Sequence, residues 1–172
     1  MKPHACFPLK GIRMCVCLRA ESWPGHMEGK SNRMPDGILF LERMKKMREE
    51  HYSDLIFKAT DVFSDTTFNE DGSMTTSFPC DRQYQGYAGR IHGGILSAFI
   101  DLAMTWCLFG HGVVAATVRL NIKYSCPVLI GIDAVIHVDT PVKENAFLYS
   151  IRAYISQVDK KVVTADARFW IE

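Results

Sequence analysis

The 172-residue chain has no surplus of charge of either sign: 20 basic and 19 acidic residues leave a formal net charge of +1. Without a polycationic face, nucleic acid is not an expected partner. Six cysteines (Cys6, Cys15, Cys17, Cys80, Cys107, Cys126) follow no framework spacing. That excludes a disulfide-stapled scaffold and suits a reducing compartment. There is no long unbroken apolar run, since the longest is interrupted by Asp101 and reads as too short to span a bilayer, and no apolar signal-peptide core with a cleavage site. The expectation is a soluble, cytoplasmic protein with no membrane partner. Internal repeats and low-complexity tracts are also missing, and the length suits one core that needs no metal or disulfide staple.

Residues 1–34 lack sustained periodicity and scatter Pro3, Pro8, Pro24, Gly11, Gly25 and Gly29 among basic side chains. They read as a disordered tail or an extension foreign to the natural protein. His4, Cys6, Cys15, Cys17 and His26 match no common zinc spacing, so no metal is expected. From 35 to 52, Ile38, Leu41, Met44 and Met47 recur at helical spacing, which predicts an amphipathic helix packed on the body. The main domain is expected over 53–172.

What the chain does have is one unusual stretch, Gln85 to Gly110. From Ile95 to Phe109 it is apolar almost all round, which predicts an enclosed helix. Its single charge is Asp101, a carboxylate costly to desolvate unless it has a partner or a task. Gly93, Ser97, Asp101 and Thr105 recur every four residues and form one polar stripe. At the helix start, His92-Gly93-Gly94 offers amide N–H groups without intrahelical partners, and without Cβ atoms a ligand oxygen can approach them. The bland alternatives are a plain turn and a satisfied core carboxylate.

Around this helix the pattern changes period. Asp71-Gly72 between β-prone arms predicts a hairpin over 66–81 that stops at Pro79. After Gly110 and Gly112, alternation predicts strands at 116–124, 132–139, 147–158 and 162–171, with Ala116, Val118, Leu120, Ile122 and Tyr124 on the buried face of the first. The simplest arrangement is an α+β fold, an antiparallel meander closing round the long helix.

The pattern Gln85-Gly86, Gly89, His92-Gly93-Gly94 and Asp101, continued by Thr117, Asn121, Tyr124 and Pro127, resembles the PaaI-like acyl-CoA thioesterases of the hotdog superfamily, over roughly residues 55–172. The resemblance implies an antiparallel β-sheet wrapped around a long central helix. It further implies hydrolysis of an acyl-CoA, or acyl carrier protein, thioester, with Asp101 as general base or nucleophile and the Gly93 amide as oxyanion site. Some members have Asn six residues before the histidine, where this chain has Gly86. Thr117 matches a family position with a hydroxyl near the water, or is an ordinary strand threonine. His92 fixes the loop or transfers protons. Gly94, Ser97 and Asn121 are candidate substrate contacts, and Lys123, Lys143 and Arg90 are candidates for the coenzyme A phosphates or simply solvated charges. Coenzyme A enters only as part of the substrate, with no separate cofactor. Two rival classes keep the fold: an acyl-CoA sensor without turnover, and a hydratase or dehydratase.

Gly93 and Asp101 are eight residues apart, roughly 12 Å along a helix axis at 1.5 Å per residue. One thioester carbon cannot touch both. Two antiparallel copies of the helix would bring Gly93 of one beside Asp101 of the other, so a homodimer is expected, or a dimer of dimers forming a homotetramer.

Overall fold

A computed structural model describes residues 37–51 and 62–171; the tail and its cysteines and histidines lie outside the described residues. Helix α1 spans Gly37–His51 and the long helix α2 spans Gly93–Gly110. Seven strands follow the chain as β1 (Ser64–Phe68), β2 (Met74–Phe78), β3 (Ala116–Tyr124), β4 (Ala134–Val138), β5 (Val142–Lys143), β6 (Leu148–Gln157) and β7 (Lys160–Trp170). They form one antiparallel sheet in the order β1-β2-β4-β6-β7-β3, with the two-residue β5 beside β6.

The sheet curls around α2 because their apolar faces match. Strand residues Phe78, Ile136, Ile155, Val163 and Phe169 and helix residues Phe99, Ile100, Ala103, Met104 and Leu108 are all fully buried. At 18 residues α2 is long and apolar enough to cross a membrane by length and composition, a test that the core helix of a folded domain also passes. The helix is thus longer than the apolar run broken at Asp101 suggests. Here most of it packs inside the fold.

Helix α1 packs on α2 with most of the stripe its periodicity predicts, Leu41, Met44 and Met47, and adds Phe40 in place of Ile38. Phe40 and Met44 are buried, whereas Ile38 stands 73% exposed. Phe40 wins because it stacks on Phe68 at 5.5 Å and meets His111 at 4.6 Å, beyond the end of α2. A Cβ on Gly110 would lie 2.4 Å from the Phe68 ring, so the absence of a side chain there is what lets helix and hairpin close up. Gly72, at the Asp71-Gly72 turn with φ +81°, accepts a 2.9 Å hydrogen bond from His111 Nε2 on its carbonyl.

The strand order departs from the simple meander. Strands β4, β6 and β7 do follow one another, but β3 joins the far edge of β7 and β4 inserts between β2 and β6. The connection from Ser125 to Asp133 therefore crosses three strand spacings, roughly 14 Å at about 4.8 Å each, within reach of nine residues. Its anchor is the buried Gln157, whose side chain accepts from Leu129 N–H at 2.9 Å and donates to the carbonyls of Leu129 at 2.9 Å and Ile132 at 2.7 Å. Such a crossover leaves no trace in strand periodicity.

As a sheet edge, β3 buries the face expected of it only in part. Leu120 and Ile122 are only half-buried, and Val118 and Tyr124 are 59% and 48% exposed.

Candidate functional site

Helix α2 starts from a cap built by its own first residues. His92 is extended (φ −67°, ψ 132°) and its Nδ1 accepts from the Gly94 N–H at 3.0 Å. Its carbonyl accepts from Ile95 and Leu96 N–H at 3.0 and 3.2 Å. Of the first amides this leaves one, Gly93 N–H, without an acceptor among the described residues. The helix dipole makes that amide a favourable place for developing negative charge.

The polar stripe is the accessible side of an otherwise buried helix. Gly93, Ser97, Asp101 and Thr105 are all half-buried, while Leu96, Phe99, Ile100, Leu102, Ala103 and Met104 are buried. Asp101 is held in place by the Thr117 hydroxyl, which donates to Oδ1 at 2.7 Å. Burial pushes the Asp101 carboxyl above its usual 3.8, and the Thr117 hydrogen bond pulls partly the other way. A carboxylate with a raised pKa is a better proton acceptor near neutrality than an exposed one.

Thr117 reaches Asp101 because of a bulge. In the β3–β7 ladder Thr117 faces Phe169 and Arg119 faces Arg168, so Val118 is an extra residue on β3. The insertion flips the alternation: Thr117 joins the inward face shared by Leu120, Ile122 and Tyr124, whose partners Ala167, Ala165 and Val163 are buried. A β-bulge re-aims a side chain in this way. Thr117→Ala removes the bond that lowers the Asp101 pKa, so the acid limb of a pH–rate profile should move to higher pH. The rate at pH 7 should fall roughly tenfold, the scale of one hydrogen bond to a charged group. An unmoved acid limb would show that the bond has no catalytic bearing.

At the other end of β3, Tyr124 sits against the start of α2. Its hydroxyl donates to the Gly93 carbonyl at 2.9 Å and lies 2.6 Å from Ser97 Oγ, which reaches the same carbonyl at 3.0 Å. The sequence had already placed Tyr124 on the inward face, and a phenol there needs a hydrogen-bond partner. That was the available signal for its place in the site.

The remaining candidates are not gathered here within one chain. Asn121 and Lys123 project from the outer face of β3, and Asn121 Nδ2 donates to Asp166 at 2.8 Å. Lys143 lies on β5 with its ammonium 5.8 Å from the Tyr149 ring centre. Arg90 pairs through its backbone with Leu129, close to the glycine turn. Gly86 packs on His92: a Cβ there would come within 3.0 Å of His92 Cα, so a larger residue needs the loop to shift. Burial pushes the Cys80 thiol up to about 12 and raises Cys107 further still, which suits inert core cysteines rather than nucleophiles. Among the described residues no group of three or more His, Cys, Asp or Glu side chains is placed to hold a metal ion.

No protein-family model and no curated protein sequence matches the chain. Solved structures do. The Escherichia coli PaaI protein from the phenylacetic acid degradation operon aligns at TM-score 0.66 and 15% identity, over 79% of this chain and 95% of that one. A Streptococcus mutans protein bound to acetyl CoA aligns at 0.61 and 17%, over 71% and 94%. A thioesterase superfamily protein aligns at 0.58 and 19% over 61% of this chain, which spans about half (52%) of its length.

Proposed function

We propose, from the premise that this chain has the hotdog fold of PaaI and thioesterase superfamily structures, that it hydrolyses the thioester of an acyl-CoA to a free acid and a thiol. One observation carries the reading. A carboxylate with a raised pKa, Asp101, and an amide without an acceptor among the described residues, Gly93 N–H, share the accessible stripe of one buried helix.

In this reading Asp101 takes a proton from water as its oxygen attacks the thioester carbon, or attacks that carbon itself. The carbonyl electrons move onto oxygen, where the Gly93 N–H and the helix dipole stabilise them. The carbon–sulfur bond then breaks as the carbonyl re-forms, and the thiolate leaves and takes up a proton; after direct attack, water cleaves the Asp101–acyl anhydride left behind, which releases the acid and restores the carboxylate. Labelled oxygen from water, found in Asp101 after one turnover, would mark direct attack. His92 serves as the helix cap, since its Nδ1 is already engaged.

The roughly 12 Å between the two groups requires a second copy. The open edge of β3, with Val118 and Tyr124 exposed, gives two chains a surface on which to meet. A bound carrier protein in place of coenzyme A would use the same chemistry. Binding without turnover is favoured by a single observation, Gly86, because an Asn does not fit against His92 without a shift.

A panel of short, medium, long and aromatic acyl-CoA thioesters, read by thiol release and by binding, tests the reading. Release from at least one class is expected. Tight binding of a thioester with no release would replace the hydrolase by a sensor, and water addition to an enoyl-CoA without free thiol would replace it by a hydratase.

A further inference from the structure

We infer that Tyr124 and Ser97 are positioning residues that lock the Gly93–Gly94 peptide, and that this lock, on the far side of the Gly93 Cα from the open Gly93 N–H, stops the glycine from swinging. The inference rests on the reading of Gly93 as oxyanion donor.

Glycine is the residue least able to hold its own backbone direction. A donor that must point at a developing oxyanion gains from being immobile before the reaction begins. The open Gly93 N–H belongs to the peptide joining His92 to Gly93, whose carbonyl accepts from Ile95 and Leu96 N–H. The next peptide, joining Gly93 to Gly94, is held at both ends. Its N–H donates to His92 Nδ1 at 3.0 Å, and its carbonyl oxygen lies 2.9 Å from Tyr124 Oη and 3.0 Å from Ser97 Oγ. Tyr124 arrives from a different element, β3, whose other end supplies Thr117 to Asp101. One strand thus steadies both chemical groups of the stripe.

The three oxygens form a triangle, closed by the 2.6 Å contact between Ser97 Oγ and Tyr124 Oη. Only two hydroxyl hydrogens serve its three edges. A contact of 2.6 Å needs one of them between the two hydroxyl oxygens, which leaves the other for the Gly93 carbonyl. Either hydroxyl can therefore make the carbonyl bond when its neighbour is missing. The two are redundant singly and indispensable jointly.

That redundancy shapes the test. Tyr124→Phe and Ser97→Ala should each lower kcat by only about two- to threefold. The double variant should lose roughly 10- to 100-fold, less than deletion of an oxyanion donor outright. KM and the acid limb set by Asp101 should stay near the parent values. Ser97→Thr in the Tyr124→Phe background keeps a hydroxyl able to bond the carbonyl four residues back and should restore the single-variant rate. A double variant with parent-like kcat, or one whose loss lies wholly in KM, overturns the proposal.

The lock has a readout independent of turnover. The 15N order parameter of Gly94, whose N–H belongs to the locked peptide, should fall in the double variant together with that of Gly93, and both should stay near parent in the single ones. An unchanged order parameter overturns the lock whatever the activity. If the parent protein hydrolyses none of the thioesters, the enzymatic reading fails, and the order parameter alone decides the lock.

Discussion

Asp101→Asn should lower acyl-CoA hydrolysis by about two to four orders of magnitude, the range for loss of a general base. The substitution keeps the shape of the side chain, and the Asn carbonyl oxygen can still accept from Thr117 where Oδ1 does now, at 2.7 Å. What disappears is the basic oxygen, so binding of a non-hydrolysable acyl-CoA analogue should persist. The variant should also be more stable at neutral pH, for a reason that fixes its pH dependence. Burial raises the folded-state pKa of Asp101 above 3.8, so folding favours the protonated acid. Its contribution to stability is fully present below 3.8 and is lost as pH rises through the folded value. At pH 7 the wild type therefore carries a cost that Asn lacks, and the stability gain of the variant should shrink on acidification towards 3.8. A variant that unfolds, while its residual folded fraction stays fully active, would make Asp101 structural and remove it from the chemistry.

Gly93→Pro is expected to reduce kcat by roughly 10²- to 10³-fold, the scale seen when one oxyanion donor is removed. Proline deletes the N–H at the first helical position, where it is otherwise well tolerated because that amide has no intrahelical partner. Local geometry accepts it: His92, with ψ at 132°, already has the extended backbone that a residue before proline needs. A Cβ at position 93 would meet the Tyr124 ring at 3.6 Å, an ordinary contact. Thermal stability should change little. Full activity in this variant would mean that the Gly93 amide does not touch the reacting oxygen.

The helix, its polar stripe and the glycine turn could be read from the sequence because each is local. Hydrophobic periodicity set α2 within two residues of its observed start, and four-residue spacing placed Gly93, Ser97, Asp101 and Thr105 on one accessible side. The hairpin turn at Asp71-Gly72 was legible for the same reason, as was the end of pairing at Phe78 before Pro79. What failed depended on partners distant in sequence. Alternation assumes an unbroken ladder, so it put Thr117 on the face opposite Leu120, and the bulge at Val118 puts both on one face. It also gave β3 a fully buried side, whereas the strand lies at an edge of the sheet among the described residues and only Leu120 and Ile122 are half-buried against the core. The crossover between β3 and β4 rests on Gln157, some 28 residues from the backbone it anchors, and no local pattern announces such a bond. Asn121 is a candidate through the family resemblance, and Lys123 through its charge, as a partner for the coenzyme A phosphates. The same bulge leaves them on the opposite face from Thr117.

The central claim, that each site takes its amide from one chain and its carboxylate from another, is tested most directly by mixing two inactive variants. Asp101→Asn and Gly93→Pro chains, unfolded together and refolded at equal amounts, give half mixed dimers, each with one site holding an intact Gly93 and an intact Asp101. Thiol release should return to about a quarter of the parent rate, one intact site in every four. If the mixture stays as inactive as its components while size measurements show mixed dimers present, the two groups do not act together across an interface, and the site described above is wrong.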